Sequence, residues 1–239
     1  MKLLDLFCGA GGAAEGYRRA GFTEIVGVDI KPQPRYPFTF VQGDASCPSD
    51  RWDMFEFDLI HASPPCQVHS KTKHLAADHH QDLVDTTRRL LRRAGKPYVI
   101  ENVPGAPLID PIALNGFMFG LPLDRERWFE SNIDLPFLLL PPAHKRQVKM
   151  GRPVNDGDII QVVGHFSNVP YARKAMEIEW MTQSELAQAI PPAYTEWIGR
   201  QFMIAIARKE GDIEIEFDPK YEDPDEDQLI QLDLSAKGV

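Results

Sequence analysis

In this 239-residue chain a thiol follows two prolines and precedes a glutamine, Ser63-Pro64-Pro65-Cys66-Gln67, and that peptide offers the most direct chemistry. The prolines fix the backbone ahead of the cysteine, and the run Asp58 to His61 before them reads as a strand. The thiol is therefore expected at the carboxyl edge of a sheet, where ligands bind in open α/β folds. A free cysteine there is a candidate nucleophile. The plain alternative is an inert buried cysteine, but Pro-Pro and Gln flanks are poor packing material. Downstream, Val99-Ile100-Glu101-Asn102-Val103 ends a second apolar run in a carboxylate, so Cys66 and Glu101 can share one pocket.

A second constellation lies at the start of the chain. Asp5-Leu6-Phe7-Cys8-Gly9-Ala10-Gly11-Gly12 puts glycines where a strand turns into a helix, which lets backbone N–H groups approach a ligand closely; a purely structural turn is the competing reading. Gly27-Val28-Asp29 supplies an acid about twenty residues on, suited to two ribose hydroxyls. Gly43-Asp44-Ala45 supplies another, suited to an adenine amino group. Together they predict an adenosine ligand. No metal is expected: Cys66 lies near His69, His74, His79 and His80, but there is no second Cys pair, and a metal on the thiolate would block the nucleophile.

Strands and helices must alternate to position these groups. Lys2 to Phe7, Glu24 to Val28, Phe38 to Gln42, Asp58 to His61 and Tyr98 to Glu101 read as strands, with helices at Gly12 to Ala20 and Gln81 to Ala94. This is the pattern of an α/β fold with a doubly wound, mostly parallel sheet. The second helix puts Leu83, Val84, Thr87, Leu90, Leu91 and Ala94 on one face and Arg88, Arg89, Arg92 and Arg93 on the other; a solvated face is preferred there over nucleic-acid contact. After Ser131 proline and basic residues replace the rhythm, and regularity returns at the Thr182/Glu185 capping-box pattern and at Pro192, which opens a helix running to about Lys209. The expected organisation is a catalytic domain over 1–131, a small inserted target-recognition lobe over 132–180, a closing helical segment over 181–209, and an acidic tail over 210–239 that is either an edge strand or mostly disordered.

Net charge is −9, an unusual sign for a nucleic-acid protein. The tail accounts for it: residues 210–239 hold 11 acids against Lys220 and Lys237, which leaves the rest neutral and able to carry a local basic groove. Three scattered cysteines with no CxxC, and no apolar run of membrane-spanning length, lead to the expectation of a soluble, cytoplasmic, monomeric protein, with a protein partner conceivable at the tail.

Taken together, DLFCGAGG, SPPCQ, ENV and Arg125-Glu126-Arg127 occur in the order found in DNA (cytosine-5) methyltransferases, and this chain resembles that family over roughly residues 1–131. Ile190-Pro191-Pro192-Ala193-Tyr194 with Ile198-Gly199 is similar to the family's closing motif, while Leu123 and Ala187-Gln188 depart from its pattern. The resemblance implies S-adenosyl-L-methionine as cofactor, held by Phe7, Gly9, Ala10, Gly11, Gly12, Asp29, Ile30, Asp44, Ala45 and Pro64. It implies Cys66 as nucleophile at carbon 6 of a flipped cytosine in double-stranded DNA, Glu101 as proton source for N3, Arg127 at the carbonyl oxygen O2, and Asn102 ordering the loop. DNA contacts are expected from Gln67, Ser70, Lys71 and Lys73 in a lid after the nucleophile, from Arg125, and from Lys145, Arg146, Lys149 and Arg152, with Arg173 and Lys174 near the end of the insert and His165 or Asn168 as base readers. A tRNA methyltransferase of related type and a catalytically silent module are the rival readings. The Cys-Phe-Thr tripeptide of the first is absent, and Cys66, Glu101 and Arg127 are intact.

Overall fold

Short strands rich in leucine, isoleucine and valine build the first half of the molecule. The computed structural model describes residues 1–47, 52–65, 83–136, 148, 152–155 and 157–209. In chain order they form β1 (Lys2–Leu6), α1 (Gly12–Ala20), β2 (Glu24–Asp29), β3 (Thr39–Gln42), β4 (Leu59–Ala62), α2 (Leu83–Ala94), β5 (Tyr98–Asn102), β6 (Ile112–Leu114), β7 (Arg127–Ser131), α3 (Val169–Met176), α4 (Gln183–Gln188) and α5 (Pro192–Lys209). Helix ends follow their local signals. Gly21 in the left-handed region closes α1, Thr182 and Glu185 form a reciprocal capping box on α4, and Pro192 occupies the first position of α5.

The strands make one seven-stranded sheet in the order β3-β2-β1-β4-β5-β7-β6. β1 to β5 are parallel and β7 runs antiparallel between β5 and β6. Strand order reverses between β1 and β4, so the crevice at their carboxyl ends is the ligand position for such a sheet. The glycine-rich turn leaves β1 at that point, and the Pro-Pro turn leaves β4 beside it. Central strands are buried on both faces, which explains their largely apolar sequences: Leu4, Leu6, Ile60, Ala62 and Ile100 pack with Leu91 and Ala94 of α2 and with Trp52, Met54 and Phe57.

Three findings go beyond the expected organisation. β6 and β7 are added strands, and Arg127 stands at the start of the second. Arg88 is not on a solvated helix face. It is buried, and its Nε and Nη2 meet both carboxylate oxygens of Glu130 on β7 at 2.8 Å, while Nη2 also reaches the Pro107 carbonyl. Within the stretch set aside as a lobe, Ile159, Ile160, Val162, Phe166, Ala172, Met176 and Ile178 are buried, and Ile160 pairs with Leu123. These residues belong to one compact unit, Met1–Ala205; of the second unit, Ile206–Val239, only 206–209 are described, so the expectations for the tail lie outside the described residues. Among the described residues no helix is long and apolar enough to cross a membrane.

A buried ion pair is costly to break from one side, because it leaves an unpaired charge out of water. Arg88→Leu is expected to lower unfolding stability by about 3 kcal/mol in urea titrations. The Arg88→Leu/Glu130→Leu double variant should recover a large part of that loss, and a double variant as unstable as the sum of the singles would refute the pairing as the cause.

Candidate active site

Backbone geometry shapes the turn after β1. Phe7 has φ 58°, Gly9 φ 50° and Gly11 φ 86°, all in the left-handed region, which a bulky residue such as Phe7 enters only under constraint. The constraint is visible: the Cys8 N–H bonds the Val28 carbonyl at 3.1 Å, and the Gly9 N–H bonds Asp29 Oδ2 at 3.0 Å. Asp29 thus stitches the end of β2 to the glycine turn, and its other oxygen takes the Lys31 N–H at 2.9 Å. The glycines do different things. Beside Gly9 there is open space, Gly11 is walled by Tyr36 and Pro37, and Gly12 lets the Ile190 carbonyl of the closing segment come close. Trp180 was not singled out from the sequence, yet its indole Nε1 donates to the Ala10 carbonyl at 2.9 Å.

Around this turn lie the other expected cofactor residues. Ile30, just past β2, is 64% exposed, an unusual state for a large apolar side chain at a sheet edge. Asp44 is exposed just past β3, and hydrogen bonds from the Ser46 hydroxyl and N–H hold its carboxyl below the usual range; Ala45 is buried behind it. Pro64 is buried after β4, and its carbonyl accepts from Asn102 Nδ2 at 3.0 Å. Asn102 Oδ1 takes the Val103 N–H in turn. Both ends of the Asn102 amide are committed to backbone, so the residue fixes the turn that leads into Cys66.

Glu101, at the end of β5, is buried with its Oε1 3.0 Å from Arg127 Nε. Burial raises its pKa; Arg127, Arg125 and the Ser63 hydroxyl oppose that rise without cancelling it. Glu101 and Arg127 are thus brought together, beside the Pro64 turn held by Asn102. Arg125 is another matter. It is 2% exposed, burial lowers its pKa to about 9, and its guanidinium donates to the carbonyls of Val162, Ala187 and Ala189. A side chain so enclosed does not reach a phosphate, so the expected DNA contact is replaced by a clamp on the closing segment, reinforced by the Tyr194 hydroxyl on the Arg125 carbonyl at 2.6 Å. Arg173 likewise spends Nε and Nη2 on the Met181 carbonyl rather than facing DNA. Arg152, His165 and Asn168 are exposed. Cys66, Gln67, Ser70, Lys71, Lys73, Lys145, Arg146 and Lys149 lie outside the described residues. Among the described residues no group of acids, histidines and cysteines could hold a metal ion.

Residues 1–107, which contain the glycine turn, Asp29, Asp44, the Pro-Pro-Cys peptide and Glu101, match C-5 cytosine-specific DNA methylase. Over these residues, 107 of the 239, the chain is similar to that family. Type II methyltransferase M.AgeI of Thalassovita gelatinovora is 25% identical over 198 residues, covering 65% of this chain and 45% of the relative. Type II methyltransferase M.NgoMIV of Neisseria gonorrhoeae is 32% identical over 118 residues, covering 45% of this chain and 36% of the relative. The chain spans less than half the length of either relative. Among solved structures, an E. coli prophage-encoded protein described as a DNA modification methyltransferase aligns with TM-score 0.63 and 15% identity over 87% of this chain and 99% of that one. The S. pombe Dnmt2 methyltransferase aligns with TM-score 0.55 and 14% identity, over 89% of this chain and 99% of that one. At such identities the likeness is one of fold alone.

Asp5 of β1 carries a further signature of the buried edge. It is 1% exposed; Oδ2 accepts from Tyr36 at 3.3 Å, and Oδ1 has no partner among the described residues. Burial, opposed by the Tyr36 bond and aided by Asp29, raises its pKa to about 8. A carboxyl raised on folding stabilises the fold fully below its unfolded pKa and loses that contribution as pH rises through the folded value. Asp5→Asn removes the penalty of ionisation. Its melting temperature is therefore expected to gain on that of the native chain between pH 5 and pH 9, and parallel curves over that range would show that Asp5 stays ionised throughout.

Proposed function

We propose that the protein transfers a methyl group from S-adenosylmethionine to carbon 5 of a cytosine in double-stranded DNA, with Cys66 as covalent nucleophile. The observation that carries this reading is the buried Glu101–Arg127 pair at the end of β5, tied through Asn102 to the carbonyl of Pro64, two residues before Cys66, inside the stretch that matches the family. The glycine turn fits the cofactor. Its left-handed backbone leaves open space beside Gly9, Asp29 and the exposed Ile30 flank it, and Asp44 stands at the next strand end. Phe7, Gly9, Ala10, Gly11, Asp29, Ile30, Asp44, Ala45 and Pro64 are the residues that would hold it, with Gly12 admitting the closing segment. When bound, the cofactor supplies an electrophilic methyl group.

The chain's own residues prepare the base to accept it. Carbon 5 of cytosine is a weak nucleophile, so the Cys66 thiolate adds at carbon 6, the electron pair moves towards N3, and carbon 5 gains enamine character. Glu101 gives N3 its proton; a buried carboxyl with a raised pKa keeps that proton to higher pH than an exposed one. Arg127 stabilises charge developing on O2 while pairing with Glu101. Loss of the carbon 5 proton then lets the thiolate leave and restores the ring. A stacked base cannot meet Cys66, so the cytosine must be flipped out of the duplex, at a cost of a few kcal/mol. Gln67, Ser70, Lys71 and Lys73 follow the nucleophile closely enough in sequence to close over the flipped nucleotide. Lys145, Arg146, Lys149 and the exposed Arg152 supply positive charge for the phosphates.

Duplex DNA containing 5-fluorocytosine should form a complex with the native chain that survives denaturing electrophoresis, since fluorine cannot leave as the proton does. Cys66→Ser should abolish both the trapped complex and methyl transfer while retaining cofactor affinity, whereas Asp29→Ala should weaken cofactor binding by roughly 1.5–3 kcal/mol in calorimetry. Methyl transfer to tRNA in place of DNA, or a Cys66→Ser variant that still methylates, would end this reading.

Phosphate contacts release counterions, so neutralising Lys145 and Arg146 together should reduce the slope of log affinity against log salt by roughly 2, for every DNA sequence alike. Unchanged slopes would make the basic stretch a solvated loop.

A further inference from the structure

Ser63 and His61 lie behind Glu101 and have no part in the mechanism so far. His61 is fully buried on β4; its Nδ1 is 3.0 Å from the Tyr17 hydroxyl of α1, and its Nε2 is 3.0 Å from Ser63 Oγ. Ala62 pairs with Ile100, so Ser63 and Glu101 follow side by side at the ends of β4 and β5, and the Ser63 hydroxyl helps hold the Glu101 pKa down. Four polar side chains from α1, β4, the turn after it and β5 therefore form one line that ends on the proposed proton donor. We infer that the Tyr17–His61–Ser63 line is a positioning device that gives Ser63 a fixed direction, always donating to Glu101, and so orients that carboxyl for its proton transfer. The inference rests on the reading of Glu101 given above and deepens it.

Direction follows from what each group is able to donate. Burial lowers the His61 pKa to about 3, so the ring is neutral and offers one donor and one acceptor. Burial raises the Tyr17 pKa far above its ordinary value, so its O–H is retained. An O–H buried without an acceptor is costly, and among the described residues the Tyr17 hydroxyl has only His61 Nδ1. Tyr17 therefore donates to Nδ1, which puts the ring hydrogen on Nε2. Nε2–H donates to Ser63 Oγ, and the Ser63 O–H is left to donate onward to Glu101. A carboxyl oxygen that accepts this bond is a poor place for the proton, which is thereby directed to the carboxyl's other free lone pairs.

The surroundings contain the charges that must be counted. Arg127 and Arg125 face Glu101 from the β7 side and Ser63 faces it from the β4 side. His61 stands level with Asp5 on β1 and Val99 on β5, and Asp5 is occupied by Tyr36. Neither Arg is a partner of His61 or Tyr17, so the line can be cut without removing an ion pair.

The test is a titration of Glu101 in the full chain by carbon-13 NMR of labelled glutamate, the Glu101 signal being identified by its loss in Glu101→Gln. Ser63→Ala and His61→Phe remove the donor or its direction and should raise the Glu101 midpoint by roughly half to one pH unit. His61→Gln keeps an N–H near the Nε2 position and should stay close to the native midpoint. In parallel, the alkaline fall of kcat, where Glu101 loses its proton, should move up in pH in the first two variants and not in the third. An identical Glu101 midpoint in all folded variants, or an equal shift in His61→Gln and His61→Phe, would overturn the inference, and Ser63→Ala decides the matter if His61→Phe does not fold. A native chain that fails to methylate DNA would remove the functional reading while the titration still decides the tether.

Discussion

Glu101 sits out of water at the end of β5, and such a carboxyl is tolerated only where donors reach it. Arg127 at 3.0 Å is the principal one, and it stands there because β7 runs antiparallel beside β5, setting Trp128 opposite Asn102 and Phe129 opposite Glu101. The same strand carries Glu130, which receives Arg88 from α2 and the Ile109 N–H. Two buried carboxylates, one on each of two paired strands, thus draw their guanidinium partners from β7 and from α2. Arg125, just ahead of β7, extends the arrangement by clamping three backbone carbonyls of the insert and closing segment. Pairing of buried charge around β7 joins the sheet, the helix layer and the returning chain.

The glycine turn and the β5 end meet across the switch point of the sheet, and each is fixed by backbone rather than by side-chain packing alone. Asp29 holds the turn through the Gly9 N–H, and Asn102 holds the Pro-Pro turn through the Pro64 carbonyl. Short polar side chains that bond main chain have few rotamers to lose, so they place neighbouring groups at little entropic cost. In the proposed reaction, which must align a thiolate, a carboxyl and a methyl donor on one ring, such fixed placement is worth more than additional contact area.

Much of this was legible in the sequence because the signals are local. A glycine cluster after an apolar run defines β1 and α1, a threonine three residues before a glutamate defines the start of α4, and Pro192 marks the start of α5 to the residue. Cys66 stood out because two prolines and a glutamine flank it, and Glu101 with Asn102 because they end an apolar run in polar groups. What stayed hidden depends on distant partners. β6 is three residues long, and β7 begins with Arg127 and ends with Ser131, so neither shows the period of a strand. Arg88 looks like one more arginine on a polar helix face until Glu130, 42 residues away, is brought beside it. Arg125 reads as a basic neighbour of Arg127, and only the return of residues 162–189 reveals it as interior.

Packing of α5 on α1 has a consequence for how the chain acquires its form. Thr195 Oγ1 donates to the Ala13 carbonyl, a bond spanning 182 residues; the missing Cβ of Gly16 leaves room for Thr195, and that of Gly199 leaves room for Tyr17 and Ala20. Gly12 likewise receives the Ile190 carbonyl. During synthesis the first hundred residues emerge with every parallel strand of the sheet, yet with this notch in α1 unfilled and Trp180 not yet available to Ala10. Contacts of such sequence separation are slow to form and leave apolar surface uncovered meanwhile. The ribosome thus delivers the parallel strands well before the segment that seals α1, and among the described residues α5, which fills the notch, is the last helix to appear.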